Sequence, residues 1–296
     1  MKNVTKTRRF IVGILFVLLI GFLCALYLIM RAQRRRPFLE NYENESSSSR
    51  TTEIVVSRYN EDLNWLQYTP YQGYDNDTPA KLSSRFSFVD ASNLVVTIYN
   101  KGSDDAFYVP PHSNTVNVPN VGVNVHTILF HIVRNYDQLA DVTVFLPGSC
   151  MDEHKSAKTL QTLRQAQKTH NSVFVVDTKT VKPVAQEMYD FTLDEWANTN
   201  PRNHALNPES TLKKCDIRPF GAWYAHFFPN VDVYAVNYYV MFAVSRAHIL
   251  QRSKASYEEL LAQVNTDKNE ESAHYFERAF LAVFHPIPEE CLFLPE

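Results

Sequence analysis

Short apolar runs alternate with amphipathic segments along most of the chain, and this pattern predicts the secondary structure. Five runs have the β-branched or aromatic composition of buried strands, and they cover residues 54–56, 93–99, 141–146, 173–176 and 238–244. Apolar residues at helical spacing predict further elements, which are helices at residues 125–136, 156–168, 256–264 and 272–284. Strands alternating with helices are typical of an α/β fold with a mostly parallel sheet flanked by helices.

The first strand is followed by a polar turn, from Ser57 to Asp62. Asn60 is a good helix N-cap residue, and it predicts a helix with Glu61 and Asp62 in its first turn. In open α/β sheets, ligands bind at the carboxyl ends of the strands, so this turn is the first place to expect one. Helix capping alone also explains the three polar residues, and both interpretations stay open at this point.

An uncharged run of 21 residues, residues 10–30, predicts a membrane anchor. As a helix it would span about 31 Å, which matches the apolar core of a bilayer. A cleaved signal peptide has a shorter apolar region and a small-residue cleavage site, so an uncleaved anchor is predicted. The expected organisation is a cytosolic tail (1–9), the anchor (10–30), a Ser-rich stem (31–52) and one large domain (53–296).

The orientation of the anchor is less clearly marked, because four basic residues precede it and four follow it. A very short N-terminal tail and glycosylation sequons at Asn44 and Asn76 favour a lumenal domain. The expectation is a single-pass type II membrane protein that faces the ER or Golgi lumen or the cell surface.

Charge separates the two parts of the chain. The eight basic residues up to Arg36 are unopposed, whereas the rest holds 21 basic and 32 acidic residues, a net charge of −11. Such an acidic domain is a poor nucleic-acid binder, and contact with lipid headgroups explains the basic flanks better. The bilayer is therefore an expected partner, and nucleic acid is not.

Other composition-based signals exclude several classes of protein. Neither GxGxxG nor GxxxxGK[ST] occurs. Outside the anchor, Cys150, Cys215 and Cys291 are widely spaced, which permits one disulfide at most and does not reveal its partners.

His126 and His131 lie off the apolar stripe of their helix, and we interpret them as surface or packing residues.

Two places could carry chemistry. Asp152 and His154 follow the third strand and could reach one divalent cation from an extended loop, although the same residues are common at helix starts. Glu277 lies within an apolar helix beside Arg278, where desolvation would raise its pKa and the arginine would oppose that. It is a candidate general base, or one half of a buried Glu–Arg pair. A metal-dependent hydrolase using Asp152, His154 and His285 is a more distant alternative.

Five segments together resemble a known family. They read VVSRYNEDLNWL, LADVTVFLPG, RPFGAWY, FAVSRAHIL and HYFERAFLAVF, in this order, within residues 53–284. The set resembles a domain-of-unknown-function family, often membrane-anchored, which is similar to glycosyltransferases of the GT-A type. The resemblance implies a GT-A-like, Rossmann-type sheet behind one N-terminal transmembrane helix.

The resemblance also implies a function and a site. A sugar would pass from a nucleotide sugar to a glycan or protein acceptor, with Glu277 as the catalytic carboxylate and manganese or magnesium as the cation. The nucleotide would be held by the first turn, through Ser57, Arg58, Asn60, Glu61 and Asp62.

One departure from the GT-A pattern favours another function. The Asp-x-Asp of GT-A enzymes is replaced here by FLPG at residues 145–148, and the nearest acids are Asp152 and Glu153. The alternative is a non-catalytic membrane glycoprotein that binds a glycan or a protein partner.

Overall fold

Seven strands form one sheet in a computed structural model of the chain, which describes residues 50–68, 94–176, 186–195, 211–232 and 235–296. In chain order they are β1 (Thr52–Arg58), β2 (Leu94–Asn100), β3 (Asn114–Asn117), β4 (Val142–Pro147), β5 (Val173–Val175), β6 (Phe242–Ser245) and β7 (Leu292–Phe293). Their order across the sheet is β3-β2-β1-β4-β6-β5-β7. Only β6 runs antiparallel to its neighbours β4 and β5, so the predicted α/β fold with a mostly parallel sheet is confirmed for these residues.

Helices cover both faces of the sheet. They are α1 (Val123–Asn135), α2 (Glu153–Thr169), α3 (Gln186–Tyr189), α4 (Phe220–Phe227), α5 (Arg246–Ile249), α6 (Lys254–Ala262) and α7 (Glu271–Val283). The described residues also form 3-10 helices at Asn64–Tyr68, Tyr238–Val240 and Glu289–Cys291. The larger core contains α1, α4, α6 and α7 on one face, and the smaller core contains α2 on the other.

The apolar run of β1 is continuous because both of its faces are covered. Val55 packs into the larger core, whereas Ile54 and Val56 pack into the smaller one. All three side chains are buried.

The region after β1 differs from the prediction of a helix capped by Asn60. A 3-10 helix begins only at Asn64, and Leu63 before it has a left-handed φ of 56°. The side chain of Asp62 accepts a hydrogen bond from the amide of Asn64 at 3.0 Å, an Asx turn that replaces the expected cap. The predicted helix start at Asn60 is therefore wrong.

The predicted strand at 238–244 is shorter than expected. Tyr239 and Val240 have left-handed φ values of 69° and 57°, which a strand excludes, and β6 starts at Phe242. Ser245 caps the following helix, because its side chain accepts a hydrogen bond from the amide of His248.

Two predictions about side chains are also refined. His126 and His131 are buried, so their interpretation as packing residues is confirmed and a surface position is wrong. Cys150, Cys215 and Cys291 are all free thiols.

The predicted tail, anchor and nearly all of the stem lie outside the described residues, which belong to the unit Arg50–Glu296. Within the described part of the chain, every helix is too short or too polar to cross a bilayer.

Candidate functional site

The carboxyl ends of β2, β1 and β4 meet at one edge of the sheet. Ser57 pairs in register with Pro147 on one side and with Tyr99 on the other. Beyond the strands, the amide of Gly148 donates to the carbonyl of Ser57 at 2.7 Å. The turn after β1 and the loop after β4 are therefore bonded neighbours. We call residues 57–62 the β1 turn.

Arg58 holds the β1 turn from within. Its side chain is fully buried. Its Nε donates to the carbonyl of Glu61, and its Nη1 donates to Asn100 Oδ1 and to the carbonyl of Asp104, each at 2.7 Å. The guanidinium also stacks on the ring of Phe107, 3.9 Å from its centroid. The guanidinium thus binds groups of the protein itself.

Glu61 also stabilises the turn. Its Oε2 accepts hydrogen bonds from the amides of Tyr59 at 2.8 Å and Asn60 at 3.1 Å. The same carboxylate lies against Gly148, where a Cβ would be only 2.7 Å from Oε2. The indole of Trp65 donates to the carbonyl of Gly148 at 3.1 Å and joins the two loops again.

Ser57, Asn60 and Asp62 complete the predicted nucleotide site. Ser57 is buried, and its hydroxyl is 2.8 Å from that of Thr127 on α1. Asp62 is exposed. Asn60 is buried, and within the described structure its Nδ2 has no hydrogen-bond partner. A buried amide without a partner calls for a water molecule or a ligand group, which makes Asn60 the best-placed ligand contact of the turn.

Asp152 and His154, the predicted metal ligands, lie at the start of α2. The carboxylate of Asp152 is 3.4 Å from the ammonium of Lys155, and the ring of His154 packs against Tyr239, 5.5 Å between centroids. The described residues contain no group of three or more His, Cys, Asp or Glu side chains arranged to hold a metal. Of the two predicted metal ligands, only Asp152 is a carboxylate, and it already contacts the Lys155 ammonium.

Glu277 lies on α7, on the opposite face of the sheet from α2, yet both helices contact the same residue, Tyr238. Because β6 is antiparallel to β4, the 3-10 helix before β6 lies beyond the carboxyl end of β4. From α2, Lys158 Nζ donates to the carbonyl of Tyr238 at 2.7 Å. From the α7 side, the Arg278 guanidinium lies 5.5 Å from the Tyr238 ring centroid.

Electrostatics link the same groups. Burial raises the pKa of Glu277, and the positive charges of Arg278, Lys158 and Lys155 oppose that shift. The proposed pairing of Glu277 with Arg278 is not an ion pair in this structure, because the Arg278 Nη1 donates to the carbonyl of His274 and its guanidinium stacks on Phe191. We call Lys155, Lys158, Tyr238, Glu277 and Arg278 the lysine–glutamate cluster.

A second buried polar group at this edge escaped the sequence analysis. Lys101 follows β2, and its ammonium donates to the carbonyls of Val121 and Val123. Burial lowers the pKa of Lys101 to about 7, and the nearby carboxylate of Glu270 opposes this. Burial, with the charge of Lys101 as a second cause, lowers the pKa of His126 to about 4. A lysine directly after a strand is typical of an ordinary turn, so the sequence gives no signal that Lys101 is buried.

Most of the described chain matches a known protein family. The model of a protein family described as Protein of unknown function (DUF3431) matches residues 54–293. This confirms the expected membership of a family of unknown function and its extent over nearly all of the predicted domain. No curated protein matches the chain.

Proposed function

The chain belongs to the DUF3431 family of proteins of unknown function, and we propose that it is a glycosyltransferase that binds a nucleotide sugar at the carboxyl edge of its sheet. The sugar would pass to a glycan or protein acceptor. The observation that carries this proposal is that α2 and α7 both contact Tyr238 beyond the end of β4, through Lys158 and Arg278. Glu277, next to Arg278, would then face the same edge of the sheet as Asn60. Ligands of open α/β sheets bind at this edge.

The two parts of the edge would have different tasks. The amide of Asn60 would bind the nucleotide, while Arg58 and Glu61 keep the β1 turn in place. Glu277 would accept the proton of the acceptor hydroxyl while the hydroxyl oxygen forms a bond to the anomeric carbon of the sugar. At the same time the bond from that carbon to the phosphate oxygen breaks, and the nucleoside diphosphate leaves with the electron pair. A carboxyl whose pKa is raised by burial is a stronger base than an ordinary one.

A thermal-shift screen of the full chain in detergent tests the nucleotide part. One nucleotide sugar of a broad panel should raise the melting temperature, with and without manganese. Asn60→Ala should reduce the shift, whereas Asn114→Ala, a change at an exposed position in β3, should preserve it. A folded, monodisperse protein that responds to no donor would refute the proposal.

The membrane arrangement is a separate part of the proposal. The anchor at 10–30 would leave the domain in the lumen or outside the cell, where Asn44 and Asn76 could be glycosylated. Protein expressed in cells should lose mass on treatment with an N-glycosidase, and Asn44→Gln with Asn76→Gln should remove the difference. Cleavage of the domain by a protease added to the cytosolic side of intact vesicles would contradict this orientation.

A non-catalytic binding protein is the second candidate. The observation in its favour is that Arg58 and Glu61 bind the β1 turn itself, which leaves fewer side chains for a nucleotide. Binding of a glycan without binding of any nucleotide sugar would favour this candidate.

A further inference from the structure

We infer that the diphosphate of the donor is bound by the ammonium groups of Lys155 and Lys158, and that no metal ion mediates this contact. The inference rests on the proposed function, since it specifies how the same site would hold a nucleotide sugar.

The donor set beside β4 does not fit a divalent cation. At phosphate sites, Mg²⁺ is bound by one or two carboxylates together with the phosphates and several waters. Asp152 could supply one such carboxylate, but the Lys155 ammonium is already 3.4 Å from it. A divalent cation bound to Asp152 would lie next to that ammonium and be repelled by it. The His154 ring meanwhile packs against Tyr239.

The two lysines are placed where both ammonium groups could bind a phosphate directly. Lys155 and Lys158 are three residues apart in α2, so their side chains leave one face of the helix. Lys155 Nζ donates to Ser149 Oγ at 2.8 Å, and Lys158 Nζ donates to the carbonyl of Tyr238 at 2.7 Å. These bonds direct both ammonium groups to the loop after β4 and the 3-10 helix before β6. Lysine is a common phosphate ligand that acts as a point charge.

The position of Glu277, the proposed base, indicates where the bond between the sugar and the diphosphate would lie. The charges of both lysines act on its carboxyl, so the three groups share one local field. Lys158 and Arg278, the neighbour of Glu277 in α7, both contact Tyr238, so phosphates bound at the lysines would lie on the same side of the sheet edge as the proposed base. The β1 turn is joined to the same loop, because Glu61 lies against Gly148.

Among the described residues, the carboxylates of Asp152, Glu153 and Glu277 could compete with a phosphate for the two lysines. The side chain of Glu153 is exposed, and water screens it. Asp152 has a side chain 41% exposed, and its contact with Lys155 at 3.4 Å is long. Exposed pairs of this kind contribute little, so a diphosphate would displace Asp152 at small cost. Glu277, with its raised pKa, carries less negative charge than an ordinary carboxyl at the same pH.

Titration calorimetry on the full chain in detergent, with excess chelator, tests the inference. Pyrophosphate is the first probe, because it carries two phosphoryl groups without base or sugar. It should bind, and Lys155→Met and Lys158→Met should each weaken the affinity about tenfold, as the loss of one charge-assisted contact does. Lys168→Met, an exposed lysine in the last turn of the same helix, is the matched control and should bind as the wild type does.

Asp152→Asn separates the two ways of holding phosphate. It removes a metal ligand, but it also removes the carboxylate that competes for Lys155. We expect tighter binding of pyrophosphate, by about threefold for a weak exposed pair. Pyrophosphate binding that requires manganese and is lost in Asp152→Asn would overturn the inference. A lack of pyrophosphate binding both with chelator and with manganese would also overturn it.

The same titration with nucleotide sugars distinguishes this failure from failure of the proposed function. A nucleotide sugar that binds only with manganese would refute the lysine contact and leave the glycosyltransferase proposal intact. Lysine-dependent pyrophosphate binding without binding of any nucleotide sugar would support the anion site and refute the proposed donor.

Discussion

The carboxylate of Glu61 lies directly against Gly148, so that a Cβ at Gly148 would be 2.7 Å from Glu61 Oε2. Real Cβ atoms do not come this close to another heavy atom. The contact joins the loop after β4 to the β1 turn, and the amide of Asn60 donates to the same carboxylate. The position of Asn60 therefore depends on a glycine in a different loop.

Gly148→Ala should displace the Glu61 side chain and break its hydrogen bonds to the Tyr59 and Asn60 amides. We expect a loss of about 1–3 kcal/mol in the free energy of unfolding, measured by urea denaturation. In a Glu61→Ala background the same change should cost less, because the clash is gone. Equal costs in both backgrounds would show that the contact does not constrain the turn.

Arg58→Lys should destabilise the fold, although it keeps the charge. A lysine cannot supply the Nε and Nη1 bonds to Glu61, Asn100 and Asp104, nor the stacking on Phe107. We expect a loss of about 3 kcal/mol or more in the free energy of unfolding.

Arg134→Lys is the control for this change, because Arg134 is exposed on α1. It should change the unfolding free energy by less than about 0.5 kcal/mol. An Arg58→Lys variant as stable as this control would contradict the structural role of Arg58.

Glu277→Gln should abolish most of the proposed sugar transfer while donor binding persists. The carboxylate form is the base, so the rate of the wild type should rise as the pH passes the pKa of Glu277. That pKa is raised from its ordinary value of 4.5 by burial, so the rising limb should lie above pH 4.5. The measurement is a pH–rate profile with a labelled donor.

In the Glu277→Gln variant this rising limb should be absent, because an amide does not titrate. Glu258→Gln, at an exposed position on α6, should keep both the rate and the limb. An active Glu277→Gln variant with the wild-type pH profile would exclude Glu277 as the base.

Lys101 should make the stability of the protein depend on pH in alkaline solution. Its pKa is lowered from 10.5 to about 7 in the folded state by burial, so between these values the unfolded chain binds more protons. Stability should then rise with pH from about 7 upward, by at most about 1.4 kcal/mol per pH unit for one proton. Below pH 7 both states are protonated, and this contribution is constant.

Urea denaturation from pH 6 to pH 9 measures this dependence. Lys101→Met should remove the rise, whereas Lys168→Met, which replaces an exposed lysine, should keep it. If the Lys101→Met and wild-type slopes are equal, the ammonium is not held in a desolvated site.

Much of the fold was predictable because the signal was local. The continuous apolar run of residues 54–56 identified a central strand, and the apolar stripe of residues 125–136 identified α1 within two residues at each end. Predictions failed where distant contacts decide the backbone. Around Asn60, the bonds of Arg58 to Asn100 and Asp104 fix a turn in a sequence that is also suited to a helix start. The packing of Glu61 against Gly148 holds the same turn. At Tyr239 and Val240, left-handed φ values interrupt a run whose composition favours a strand.

Local patterns along the chain were enough to predict the alternation of strands and helices, the family, and the β1 turn and Glu277 as candidate sites of chemistry. These follow from periodicity and residue type, which act over one or two turns of chain. Which polar residues come together in one site depends on the folded arrangement of segments that are distant in the sequence. Lys158 and Arg278 lie on helices that cover opposite faces of the sheet. Both contact Tyr238, because β6 reverses direction beside β4 and places this residue beyond the β4 end. Burial was likewise decided by the assembled fold, since Arg58 and Lys101 look like surface cations until the surrounding elements enclose them.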